Sequence, residues 1–344
     1  MGVLFMRRHT VILGAGATIA AIPNGDKNGK KSSVMNGLIE KLQLQNILYG
    51  VKLKTNSDNL EDIYSELYSR AECKNVTQEL EKRLYDYFAS LVLPSEPTIY
   101  DMLILSLTEK DVIATFNWDP LLLQAYVRCH DITTNLPHIL CLHGNVAMGF
   151  CSEHREFGMT NAVCPICKKL LPPTKLLFPI KNKSYTDDAY IKGCWEAVAQ
   201  SIEESYMLTI FGYGAPASDV EAVKLLKKAW GNLENRQLEE VSVIDVIDET
   251  EMLSRWKDFI YTHHYRYTNN FFDSYLGMCP RRSCEMTFAT YQLNITPECG
   301  SGFKPGMSWE GLIAFLEDLL IEEISTPKGE NVPLHYVKKG FFDN

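Results

Sequence analysis

No stretch of this 344-residue chain is apolar for the length that a membrane crossing needs. A basic surplus is lacking as well. The 34 lysines and arginines stand against 43 aspartates and glutamates, a formal net charge of −9. Binding nucleic acid through the protein's own surface needs lysine and arginine against phosphate, so the composition argues against that class. It leaves a nucleotide pocket open, because backbone N–H groups can receive phosphate. An export signal is missing too. The N-terminal MGVLFMRRHTVILGAG is interrupted by Arg7, Arg8 and His9 and runs straight into glycines, so a first strand and a cytoplasmic location are expected. Ten cysteines without such a signal are expected to be reduced, some of them as metal ligands. Internal repeats and low-complexity tracts are absent from the sequence.

What is present is a large apolar fraction, 46% of residues, in a chain longer than one average domain. Short β-branched runs alternate with helical patterns: TVILGAG, DVIATFNWD, HILCLHG, YMLTIFGYG and EEVSVIDVID read as strands that end in glycine or polar residues. Residues 34–107 read as helical. Leu60, Ile63, Tyr64 and Leu67 share one face, and Leu80, Leu84, Tyr87 and Phe88 share another, with Thr77 as a cap. Ser308 is expected to cap an amphipathic helix over 308–324. Residues 24–33 are polar and glycine-rich, so a mobile loop is expected. Residues 151–173 look too rich in cysteine and proline for a regular element. Residues 266–305 give no clear pattern, and 325–344 read as a loop or docking tail. Strands alternating with helices imply an α/β fold: a Rossmann-like, doubly wound parallel sheet with a helical insertion and a small metal-binding module.

Several candidate functional residues sit where such strands end. Gly14-Ala15-Gly16-Ala17-Thr18 suits close approach to a pyrophosphate. Ile19 replaces the third glycine of the dehydrogenase fingerprint, so a plain tight turn is the alternative. Asn117 and Asp119 follow the second strand; the Asp119-Pro120 pair also reads as a helix cap. His143 precedes Gly144 after the third strand, where an imidazole can serve as a general base or merely be a satisfied core residue. Gly212, Tyr213 and Gly214, with Ser218 or Asp219, suit a phosphate or ribose. Asp245 or Asp248 can accept ribose hydroxyls. Cys151-x2-His154, nine residues, then Cys164-x2-Cys167 offers two chelating pairs, the pattern of a closed tetrahedral zinc site. Cys279, Cys284 and Cys299 with His263 and His264 have irregular spacing and read better as buried thiols.

GAGAT, TFNWD, LHG, the cysteine cluster and FGYGAPASD occur in an order that resembles the sirtuin superfamily, from about Val11 to about Asp248. The glycine loop departs from deacetylases: Ile22-Pro23 is followed by Asn24-Gly25-Asp26, and a Phe-Arg pair is missing. Phe116-Asn117-Trp118-Asp119 stands for their Gln-Asn-x-Asp. The chain looks similar to the SIR2-like branch of bacterial antiphage defence proteins, which hydrolyse NAD alone or beside a HerA-type ATPase. The resemblance implies an NAD glycohydrolase (an NADase) with Asn117, His143 and Asp119 as catalytic residues. NAD would lie along Gly14, Ala15, Gly16, Thr18, Gly212, Tyr213, Gly214 and Asp245 or Asp248, with structural zinc on Cys151, His154, Cys164 and Cys167. It further implies a homo-oligomer, and a division into an NAD-binding domain over 1–265 and an extension over 266–344. The first would carry a helical insertion at 35–107 and a zinc module at 146–174. Two rivals are a sirtuin-type protein deacylase, which the missing Phe-Arg pair disfavours, and a non-catalytic NAD- or ADP-ribose-binding scaffold, which the retention of Asn117, Asp119 and His143 disfavours.

Overall fold

The computed structural model describes residues 7–32, 35, 37–180, 183–216, 219–232, 234, 236, 239–260, 264–295 and 302–325. Its strands are β1 (Arg8–Leu13), β2 (Val112–Thr115), β3 (His138–Cys141), β4 (Met148–Cys151), β5 (Glu156–Met159), β6 (Ser205–Phe211), β7 (Glu240–Ile244) and β8 (Tyr265–Thr268). Between β1 and β2 lie α1 (Ala15–Ala21), α2 (Leu38–Lys41), α3 (Gln45–Leu48), α4 (Leu60–Tyr68), α5 (Lys74–Ala89) and α6 (Ile99–Leu105). Then come α7 (Leu121–His130), α8 (Ala189–Glu203), α9 (Val220–Trp230), α10 (Glu249–Trp256), α11 (Tyr275–Met278), α12 (Ser283–Leu293) and α13 (Trp309–Ser325).

Six strands form one sheet in the order β3-β2-β1-β6-β7-β8, and every pair is parallel. β1 and β6 are buried on both faces; Val11-Ile12-Leu13 and Ile210-Phe211 are apolar, and the buried His9, Thr10, Ser205 and Thr209 pair their polar side chains. Alternation along β1 splits the core in two. Val11 and Leu13 pack with α1, α5, α6, α7 and α13, while Ile12 packs on the other face with α8, α9 and α10. The chain moves outward from β1 through β2 to β3, then restarts at β6 on the opposite side of β1. A crevice therefore opens beyond the C-terminal ends of β1 and β6, where doubly wound sheets receive ligands.

Local chemistry accounts for where the elements depart from the sequence reading. Residues 34–107 are not helical throughout: 51–59 and 91–98 run irregularly. In the first stretch the Glu66 carboxylate accepts the N–H groups of Lys54 and Thr55. The second contains Pro94 and Pro97, which have no N–H to give a helix. Thr77 does not cap α5. The helix begins at Lys74, and the Thr77 hydroxyl donates to the Lys74 carbonyl inside it. Instead Thr98 and Asp101 form a capping box at the start of α6. Ser308 accepts from the Gly311 N–H at the start of α13, as expected.

The 151–173 stretch holds a strand after all. β4 and β5 make an antiparallel hairpin in which Phe150 faces Phe157 and Gly149 faces Gly158. β8 crosses residue 265, so the main sheet extends into the region that gave no pattern. The loop after α1 is pinned over residues 24–32. Asp26 is buried, and its carboxylate accepts the N–H groups of Asn28, Lys30 and Val92. The tail after Ser325 lies outside the described residues.

Candidate functional site

The crevice holds a cavity of about 260 Å³, lined by Gly14, Ala15, Thr18, Asn117, Asp119, His143, Gly212, Tyr213 and Gly214 among others. Its floor is two glycine turns pressed together. The Gly16 N–H donates to the Gly212 carbonyl at 2.9 Å. Gly212 has φ +59°, and a Cβ there would lie 2.3 Å from the Ala17 nitrogen. Only glycine meets both demands. Gly16 itself does not line the cavity; it packs against Gly212. The N–H of Gly14 goes to Phe211 and that of Ala17 to Gly14, so the turn has spent most of its donors within the protein.

Asn117 ties the second strand's loop to this floor. Its amide donates to the Gly14 carbonyl at 2.8 Å, to Thr18 Oγ1 at 3.0 Å and to the Tyr100 hydroxyl at 3.2 Å. Asp119 is buried, accepts from Thr18 Oγ1 at 2.8 Å and also receives the Leu121 N–H at the start of α7. Asp119 lines the cavity, but the cap position of α7 falls on Pro120, one residue later than expected. Burial raises its carboxyl above the ordinary range, against the hydrogen bond from Thr18.

His143 sits just past β3. The Leu177 N–H fixes its carbonyl at 2.9 Å, and Gly144 follows with φ +77°; a Cβ there would stand 2.0 Å from the Lys175 carbonyl oxygen. Phe116 meets the imidazole edge-on at 4.7 Å, and Tyr185 stacks over it at 6.1 Å. Its Nε2 is buried without a hydrogen-bond partner. Burial, reinforced by the Lys183 ammonium, lowers the ring's pKa to about 3, so the imidazole is neutral at neutral pH. A neutral imidazole with an unpartnered ring nitrogen can accept a proton from a water that reaches it.

Sequence reasoning overlooked several lining residues. Trp118 contributes a buried indole N–H with no partner. Lys183 pairs with Asp219, with side chains only 3% and 5% exposed. Asn59, Glu61 and Phe88 reach the cavity from the helical segment. Lys183, Asn59 and Glu61 come from parts of the chain with no local motif, whereas Asp219 ends the FGYGAPASD motif and is a candidate from sequence. Asp245 and Asp248 both lie past the end of β7 and outside the lining. Asp245 accepts the N–H groups of Val246 and Ile247, and Asp248 caps α10 through the Glu251 N–H. Ser218 lies outside the described residues. A larger groove of about 1230 Å³ runs along the edge strand β3 between α7, α8 and the hairpin, and holds none of the glycine-turn residues.

Cys151, His154, Cys164 and Cys167 come together at the hairpin, with their donor atoms all within 4.8 Å of one another. His154 Nδ1 lies 3.4 Å from Cys151 Sγ and 3.7 Å from Cys164 Sγ, and the sulfurs of Cys151 and Cys167 are 3.9 Å apart. Tetrahedral zinc with ordinary bond lengths sets such separations at about 3.5–3.8 Å. The four side chains thus fit one small metal ion. Cys279 and Cys284 are buried thiols; Cys299 and His263 lie outside the described residues.

No family model matches this chain, and no curated protein does. Solved structures of sirtuins do. "Sir2 bound to acetylated peptide" is 12% identical over 85% of this chain and 94% of its own, with a TM-score of 0.37. A Sir2 complex with an inhibitor, 2'-O-acetyl-ADP-ribose and a deacetylated peptide is 12% identical over 85% and 95%, with a TM-score of 0.36. "The Structural basis of Sirtuin Substrate Affinity" is 16% identical over 77% and 89%, with a TM-score of 0.34.

Proposed function

We propose that this chain hydrolyses NAD at the nicotinamide–ribose bond, yielding nicotinamide and ADP-ribose. The observation that carries this reading is a neutral, buried His143, its Nε2 without a hydrogen-bond partner, lining together with Asn117 and Asp119 a cavity at the switch point of the sheet. The C1′–N bond breaks with its electron pair going to the nicotinamide nitrogen, which loses its positive charge. Water adds its oxygen to C1′, and its proton passes to His143 Nε2 and then to solvent. Asn117 holds the ribose-side loop against the glycine turn, and the buried Asp119 carboxylate favours the positive charge that develops on the sugar. A bound diphosphate places negative charge near His143 and raises its basicity toward the working range.

Zinc on Cys151, His154, Cys164 and Cys167 belongs to the same reading. A closed four-ligand site has no open position, so the ion contributes folding energy rather than chemistry. The cellular role we propose is NAD depletion in antiphage defence, in a homo-oligomer or beside a HerA-type ATPase that gates the activity. The motif order supports it, and α13 leaves Ile313, Ile321 and Ile324 exposed.

The test is product analysis of NAD incubated with the purified assembly. His143→Ala and Asn117→Ala are each expected to lower nicotinamide release by about two orders of magnitude or more. Full activity in either variant refutes that residue's role, and a deacylated peptide with no free ADP-ribose refutes the reaction.

A further inference from the structure

The cavity has a charge problem. Among its described lining residues Glu61, Asp119 and Asp219 are acidic, and Lys183 is the one lysine or arginine. A dinucleotide carries a diphosphate into this acidic space. In the glycine turn the N–H groups of Gly14, Gly16 and Ala17 already have partners within the protein. Lys27, Lys30 and Lys31 of the pinned loop do not line the cavity.

Lys183 is built into the wall. Its ammonium donates to Asp219 Oδ1, and the Tyr213 hydroxyl donates to Asp219 Oδ2 at 3.0 Å. Asp219 stands at the cap position of α9, yet its side chain makes no capping hydrogen bond. A cap is where an aspartate ordinarily stabilises a helix. Here the carboxylate turns to the lysine instead. An ammonium has three donors, so Asp219 can fix its position while other donors remain for a ligand.

We propose that Lys183 receives a phosphate oxygen of the substrate's diphosphate and that Asp219 and Tyr213 are positioning residues that hold it there. This rests on the NAD reading of the cavity. Lys183 is a contact residue, placed 36 positions before Asp219 in sequence and joined to it only by the fold.

Binding of ADP-ribose and of adenosine, measured by calorimetry, separates the phosphate contribution from the rest. Lys183→Met alone strands a buried carboxylate, so the double variant Lys183→Met with Asp219→Asn is measured beside it, and both are checked by thermal melting. ADP-ribose affinity is expected to fall about ten- to a hundredfold in both variants, the range of one charge-assisted hydrogen bond, with adenosine affinity unchanged. Lys183→Arg is expected to retain most of the ADP-ribose affinity. Equal ADP-ribose affinity in wild type and a folded double variant overturns the proposal, even if NAD turnover stands. A Lys183-dependent affinity with no nicotinamide release upholds it and overturns the hydrolase. A wild type that binds no ADP-ribose sinks both.

Discussion

Gly212 shows how much a single residue can constrain. Its positive φ alone costs an alanine about 1–2 kcal/mol, and the Cβ would also strike the backbone of Gly16 and Ala17. Gly212→Ala is therefore expected to lower the urea midpoint and to weaken ADP-ribose binding together, since the floor of the cavity and the β1–β6 junction are the same atoms. An unchanged midpoint would show that the turn relaxes freely. The residues that sequence could reveal are of this kind. Gly14, Asn117, His143 and Gly212 each end a strand, and a strand followed by an unusual residue is a local pattern. Lys183 and Glu61 carry no such pattern. A lysine in a polar stretch looks like any solvated lysine until the fold buries it.

Elements differ in how plainly they announce themselves. α4 and α5 show a helical stripe, and Leu60, Ile63, Tyr64, Leu67, Leu80 and Leu84 are all buried in the structure. The main strands show short apolar, β-branched runs such as Val11-Ile12-Leu13. β8 shows neither, because its four residues, Tyr265 to Thr268, are half-buried on both faces. β5 was hidden by the cysteines and prolines around it. Phe150 and Phe157 of that hairpin meet the Tyr190 ring, but in the loop beyond it Val163, Ile166 and Leu170 stay exposed. Its shape must then depend on the four-ligand cluster. Protein purified without chelator is expected to hold about one zinc per chain. Cys164→Ser should lose the metal and leave the hairpin open to protease, while the sheet still melts cooperatively. Retention of a full equivalent of zinc by that variant would rule out the ligand set.

The molecule as a whole carries an acid weakness in its core. His9 lies fully buried, with Nδ1 2.8 Å from Ser283 Oγ and Nε2 2.7 Å from Thr209 Oγ1, joining β1 to α12 and β6. Burial lowers its pKa to about 3, with Lys110 adding to the effect. His143 is lowered to about 3 as well. The folded state keeps both rings neutral, while the unfolded chain takes up a proton near pH 6.5. Their contribution is therefore complete above pH 6.5 and is lost as pH falls toward 3, at about 1.4 kcal/mol per pH unit for each ring. Carboxylates held low, such as Glu323 between Arg281 and Arg282, add their loss only below their ordinary range. Urea midpoints at pH 7, 6 and 5 should fall steadily, and His9→Gln should remove one proton from that slope. A flat profile between pH 7 and 5 would contradict the burial of these rings.

The strand order also has a consequence in time. β1 finds one neighbour, β2, about a hundred residues downstream and the other, β6, only after about two hundred, the separation of His9 and Thr209. Closing so long a loop costs entropy before any contact repays it, so this ladder joins late. The hairpin pairs Gly149 with Gly158 and can close within microseconds. During synthesis β1 must wait, one edge uncovered, until residue 211 has emerged. The crevice does not exist before that moment. A ligand of the crevice therefore has nothing to bind until then and acts on the finished molecule, by mass action.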